Sequence, residues 1–174
     1  ITNIDELEKI CKNADFSTEY YQEKSKEIDA CYDKIIREMP KNMNEKEAVQ
    51  YFLNWIKDNV EYDYSVYESS IEPYYDKLYE NEVYADVSNK GCILDKRGIC
   101  GGISIILSEL CNRVGITAYP VFGTIKSDGT LIPHGWVAMR VDDSTYYIDP
   151  TYVCQTGEMD NLKMKNEMER IGDR

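Results

Sequence analysis

The chain opens on a helical rhythm. Ile4, Leu7, Ile10 and Cys11 recur at helical spacing, and Asp15-Phe16-Ser17 breaks the pattern. Ser17 is placed as an N-cap for a second helix, with Glu19 and Glu23 near its positive end. That helix is predicted to stop at Met39, because the residue before Pro40 disfavours the helical region. A third helix starts after Asn44 and carries Val49, Phe52, Leu53, Ile56 and Val60 on one face. From Gly98 the pattern changes to a stripe of Ile103, Ile106, Leu107, Leu110 and Val114. This predicts a buried helix, with Arg113 in its last turn and Gly115 ending it. Strand-like runs follow at 117–125, 135–141 and 145–148. Asp128-Gly129 and Asp142-Asp143-Ser144 are the turns between them. Pro120 argues against a central position for the first strand. After Tyr152 the pattern predicts a short amphipathic helix or a fraying end.

The fold class expected is therefore α+β: N-terminal helices and one buried helix packed on an antiparallel β-sheet. The chain has 174 residues, enough for one domain with a real core. Three parts are expected: a helical extension over 1–43, a core over 44–154 and a tail over 155–174.

Composition narrows the function. The formal net charge is −12, so nucleic acid and anionic membrane are poor partners. No run reaches the roughly 18 apolar residues of a membrane helix. Residues 1–8 have neither a basic nor an apolar signal region, and the first residue is not methionine. No signal peptide is expected within these residues, and a trimmed extracellular or cell-surface protein is the expected source. The segment 61–90 holds seven tyrosines interleaved with acids. It reads either as a cover over a cleft or, the favoured reading, as a loop packed on the core.

Six cysteines and one histidine limit the chemistry further. With no CxxC pair and a single imidazole, a structural zinc site is not expected, and no acidic cluster has the EF-hand spacing. No cofactor is expected. Any imidazole chemistry must use His134. Most of the cysteines suit small buried apolar positions. If the chain is exported, Cys11 and Cys31 are the pair considered for a bridge.

Cys100 differs from the other cysteines, because it opens the predicted buried helix within Arg97-Gly98-Ile99-Cys100-Gly101-Gly102. A thiol there meets the positive end of the helix dipole and unpaired N–H groups, both of which favour thiolate. The glycines leave room for a substrate, and the Cys100 N–H can donate to an oxyanion. Taken alone, Cys100 reads rather as a buried cysteine starting a core helix, His134 as a structural or merely exposed histidine and Asp149 as a turn former. Together they differ. If the last two strands form a hairpin, His134 and Asp149 become neighbours, and the ring can face Cys100. That is a nucleophile, a base and an orienting carboxylate.

Three stretches in this order resemble the transglutaminase-like superfamily, which shares a papain-like Cys-His-Asp arrangement. They are Arg-Gly-Ile-Cys-Gly-Gly (97–102), His-Gly-Trp-Val-Ala-Met (134–139) and Tyr-Tyr-Ile-Asp-Pro-Thr-Tyr (146–152), with Tyr62-Asp63-Tyr64 upstream where the family tends to have a Tyr-Asp segment. The resemblance covers roughly residues 45–153. It implies Cys100 as nucleophile, His134 as base and Asp149 as its orienting partner, acting on amide bonds of a protein or peptide through a thioester. The family often has His-Ala-Trp-Asn, whereas Gly135 and Val137 stand here; Gly102 stands where Tyr or Phe often follows. These departures leave the three site residues intact and bear on substrate preference. Bacterial members of this kind point to a cysteine peptidase or amide hydrolase. The alternatives are a protein-glutamine acyltransferase that crosslinks, or a non-catalytic binding module. Arylamine acetyl transfer shares the residue order, but its Arg-Gly-Gly-x-Cys signature is one residue longer than Arg97-Gly98-Ile99-Cys100. A second oxyanion donor is sought upstream among Tyr84, Ser88 and Asn89, and Trp136 is expected in the core.

Overall fold

A computed structural model describes residues 4, 19–64, 91–127 and 129–156. Within them α1 spans Glu19–Glu38, α2 Glu45–Asn59 and β1 Glu61–Tyr62. After a π-helical turn at Gly91–Asp95 come β2, Arg97–Gly98, and α3, Cys100–Arg113. Then follow β3, Ala118–Ser127, β4, Thr130–Val141, β5, Ser144–Ile148, and α4, Pro150–Thr156. The α+β expectation is met. The proposed first helix around Leu7 and Ile10, the cap at Ser17 and most of the tyrosine-rich segment lie outside the described residues.

Local chemistry explains the element ends. Asn44 caps α2 with a reciprocal box: its side chain accepts from the Glu47 N–H at 3.0 Å, and the Asn44 N–H donates to Glu47 Oε2 at 2.9 Å. Gly115 ends α3 at φ +89, and the Ile116 N–H donates back to the Cys111 carbonyl at 3.0 Å. The Asn112 side chain then bonds both the N–H and the carbonyl of Ala118, at 3.0 and 2.7 Å. The end of α3 is thereby stapled to the start of β3.

The sheet runs β3-β4-β5, antiparallel throughout. Pro120 sits on an edge strand, where its missing N–H is tolerated. The β4–β5 turn uses Asp142 and Asp143 at φ 48 and 60, the left-handed pair a two-residue hairpin requires. Helix α3 packs on one face, and Ile103, Ile106, Leu107 and Leu110 meet Val137, Met139, Val141 and Ile148 in the main core. Ile28, Tyr32 and Ile35 of α1 belong to that same core. Arg113 ties α1 to α3 through Asp29 and Asp33, with its guanidinium over the Tyr32 ring. A second cluster of Ile125, Trp136, Ala138 and Tyr147 lies on the opposite face, so Trp136 is a packing residue as expected.

Two boundaries correct the sequence reading. First, β4 begins at Thr130, five residues before the expected start, so His134 lies inside a strand. The hairpin stays paired up to Ser127–Thr130, and Pro133 falls where β4 has a sheet neighbour on one side only. Second, the last helix begins at Pro150 and not after Tyr152. Asp149 caps it, accepting from the Thr151 N–H at 3.0 Å, and proline is well suited to a first helical position.

Candidate active site

Three places in the fold meet at the site: the start of α3, the middle of β4 and the junction of β5 with α4. Each follows from its local sequence. Strand β2 pairs parallel with β1 and leads directly into α3. The Asp63 N–H donates to the Gly98 carbonyl at 3.0 Å, and Asp63 pairs with Arg97 at 2.7 Å. Asp63 is buried while Arg97 is largely exposed, so the guanidinium covers a carboxylate taken out of water. This clamp holds the segment just ahead of Cys100. Ile99 occupies the cap position of α3 with no side-chain bond, so helix geometry leaves the first-turn N–H groups of Cys100, Gly101 and Gly102 without intrahelical acceptors.

Sheet register brings the other two side chains together. Val137 pairs with Ile148, which sets Asp149 across from Trp136 as β5 ends. His134, two residues from Trp136, shares that face. The two are thus diagonal neighbours rather than a direct pair. The His134 Nε2 lies 2.6 Å from Asp149 Oδ2, with both side chains buried. Asp149 Oδ1 is held separately by the Thr151 N–H. One carboxylate therefore caps a helix and orients a histidine, and its rotamer is fixed from both sides.

Cys100 is the second hydrogen-bond partner of the ring. With Nε2 on Asp149, Nδ1 is the nitrogen left for the thiol. Burial alone would lower the His134 pKa. Hydrogen bonds and charge from Asp149 and Cys100 outweigh it and raise the pKa to about 9. The ring is therefore an imidazolium at neutral pH, lying between a carboxylate and a sulfur. The close approach of strand and helix depends on Gly135, where a Cβ would lie 3.3 Å from the Cys100 carbonyl oxygen. Trp136 stacks beside the histidine, with ring centroids 6.4 Å apart and an interplanar angle of 24°.

All three residues singled out by sequence, Cys100, His134 and Asp149, meet at this one place. The Asp63–Arg97 clamp and the Thr151 bond were not foreseen. Asp-Pro-Thr at 149–151 is a helix-start signal that sequence reading took for a turn. Tyr84, Ser88 and Asn89, the oxyanion candidates, lie outside the described residues. Cys31, Cys92, Cys111 and Cys154 are free thiols, and Cys11, the other half of the pair considered for a bridge, lies outside the described residues. Burial pushes the Cys111 thiol up to about 12; burial, with the charge of Asp149, does the same to Cys154. Among the described residues, no group of three His, Cys, Asp or Glu side chains could hold a metal ion. Among them, too, no helix is long and apolar enough to cross a membrane.

Comparison with known proteins bears on the whole arrangement. A family described as a transglutaminase-like domain matches residues 31–160. The fold is similar to the crystal structure of a TGase, at a TM-score of 0.64 and 20% identity over 95% of this chain and 41% of the other. It is also similar to a candidate cysteine protease from Cytophaga hutchinsonii, at 0.52 and 19% over 81% of this chain and 44% of that protein. The chain thus spans less than half the length of either solved protein. No curated protein matches it.

Proposed function

The chain belongs to the transglutaminase-like domain family, and from that premise we propose that it is a thiol enzyme that hydrolyses amide bonds of a protein or peptide. Cys100 is the nucleophile, His134 the acid and base, and Asp149 the group that orients the ring. The observation that carries this reading is the buried 2.6 Å contact of His134 Nε2 with Asp149, with Cys100 as a second group that hydrogen-bonds to the ring and interacts with its charge.

The chemistry follows from those positions. Cys100 Sγ attacks the amide carbonyl carbon as a thiolate, and a C–S bond forms. The carbonyl oxygen becomes an oxyanion, for which the N–H groups at the start of α3 are the donors at hand. The tetrahedral adduct collapses, the C–N bond breaks, and the leaving nitrogen takes the proton of His134. The acyl group then remains on Cys100 as a thioester. His134, now neutral, accepts a proton from water as the water attacks the thioester. The C–S bond breaks, a carboxylic acid leaves, and the thiolate–imidazolium pair is restored. Asp149 holds the ring and balances its charge through both steps. A primary amine in place of water would give a crosslink, as in the glutamine acyl transfer considered above.

The test is a screen of unfolded protein and glutamine-containing peptides, with and without a primary amine, against a Cys100→Ala control. Backbone cleavage or ammonia release that disappears in Cys100→Ala is the expected result. Amine incorporation without hydrolysis would move the assignment to acyl transfer. Equal turnover in both proteins would remove Cys100 from the mechanism.

A further inference from the structure

The β3–β4 ribbon is exposed on one face in a way the core does not require. Along this ribbon the register pairs Phe122 with Gly135, Thr124 with Pro133 and Lys126 with Leu131, so these six residues share one face. It is the face of Val137, Met139 and Val141, which α3 covers further along β4. The helix begins at Cys100, beside Gly135, and beyond that point the face is open. Phe122 is 62% exposed and Leu131 68% exposed, and Pro133 is exposed as well. On the opposite face of the same ribbon, Ile125 and Trp136 are buried. Apolar side chains are therefore hidden on the face of His134 and Trp136 and presented on the face where the backbone carbonyl of Cys100 lies, at the start of α3.

Phe122 is the residue at the junction. Its Cε1 and the Cys100 carbonyl oxygen both lie 3.3 Å from the point where a Gly135 Cβ would stand. The missing methyl at Gly135 is what admits the ring against the backbone of the nucleophile. From there to Leu131 the strand rises about 13 Å, room for about four residues of an extended peptide. Among its described residues this face carries no carboxylate, in a chain with 32 Asp and Glu.

We propose that this face of the ribbon is the substrate platform, on which an extended peptide lies with an apolar side chain against Phe122, on the acyl side of the attacked amide. The acyl half stays on Cys100 through both steps, so a contact continuous with Cys100 acts on both. The proposal rests on the thiol-enzyme reading and adds the substrate class: polypeptide with an apolar residue at the reaction point, as opposed to a polar or acidic one.

The test uses two tripeptidyl chloromethyl ketones that differ only in the residue next to the ketone, leucine or asparagine. In each, Cys100 Sγ displaces chloride and forms a thioether, and intact mass with peptide mapping follows the rate. The expected result is about a tenfold preference for leucine in the unaltered protein. It falls to within about twofold in Phe122→Ser and is kept in Phe122→Leu. Each ketone rate is divided by the same protein's iodoacetamide rate at Cys100, so that a change in the thiol itself does not enter the preference. No leucine preference, or one that Phe122→Ser leaves intact, would overturn the platform while the thiol-enzyme reading stands. A Cys100 no faster with iodoacetamide than the other described cysteines would overturn the thiol-enzyme reading, and the platform with it.

Discussion

At the scale of single residues, the site turns on one proton. His134 is the only histidine of the chain, so its ring protons give one titration in a proton NMR spectrum, free of overlap from other imidazoles. Burial alone would depress its pKa, and the Asp149 and Cys100 contacts raise it to about 9 instead. The titration midpoint is expected near 9 in the intact protein. Asp149→Asn removes the larger of those two contacts, so the midpoint should move well down, toward the ordinary histidine value of about 6.5. Turnover should follow the same proton. In the proposed reaction the leaving amine takes its proton from the imidazolium, so the rate should fall as pH rises through about 9, with the alkaline limb shifting lower in Asp149→Asn. A midpoint indifferent to Asp149→Asn would mean that the 2.6 Å contact does not govern the ring.

At the scale of elements, tight approaches made by glycine set the geometry. Gly123 pairs with His134 across β3 and β4, and a Cβ there would come within 2.8 Å of the Trp136 ring. Trp136 is rigid and buried, so Gly123→Ala has to displace it. The expected loss is about 1–3 kcal/mol, measured as a lower urea midpoint at unchanged slope. An unchanged midpoint would show the ring free to move. These contacts also mark where sequence reading ends. The stripe from Ile103 to Val114, the capping signal at Asn44 and the turn at Asp142-Asp143 were legible because each depends on residues a few positions apart. That β4 runs back to Thr130 was not, because strand pairing across the hairpin overrides the local signal of Pro133. Asp-Pro-Thr at 149–151 held its helix-start signal openly, yet it follows a strand so closely that a turn looked equally natural.

At the scale of the whole molecule, the site is a device that couples folding to charge. A histidine whose folded pKa is raised contributes stability that is complete below the unfolded value of about 6.5 and is lost as pH rises through about 9. The stability difference between the intact protein and His134→Gln should therefore shrink over that window in urea titrations; a constant difference would contradict the coupling. The long-range layout was only partly legible. Cys100, His134 and Asp149 could be named from three short motifs, because Cys100 opens α3, Asp149 sits between β5 and α4, and His134 is the single imidazole of the chain. The Asp63–Arg97 clamp and the Phe122 ring against Gly135 join residues that no local pattern links. Among the described residues, Phe122 and Leu131 on the ribbon are large apolar side chains left exposed. The most direct test of the central claim is the rate of iodoacetamide alkylation at pH 6, resolved by peptide for each cysteine, in the intact protein and in His134→Ala. The account predicts that Cys100 reacts at least about tenfold faster than Cys31, Cys92, Cys111 and Cys154, and that the excess disappears in His134→Ala. Equal rates at all five thiols, or a fast Cys100 unaffected by loss of the histidine, would contradict it.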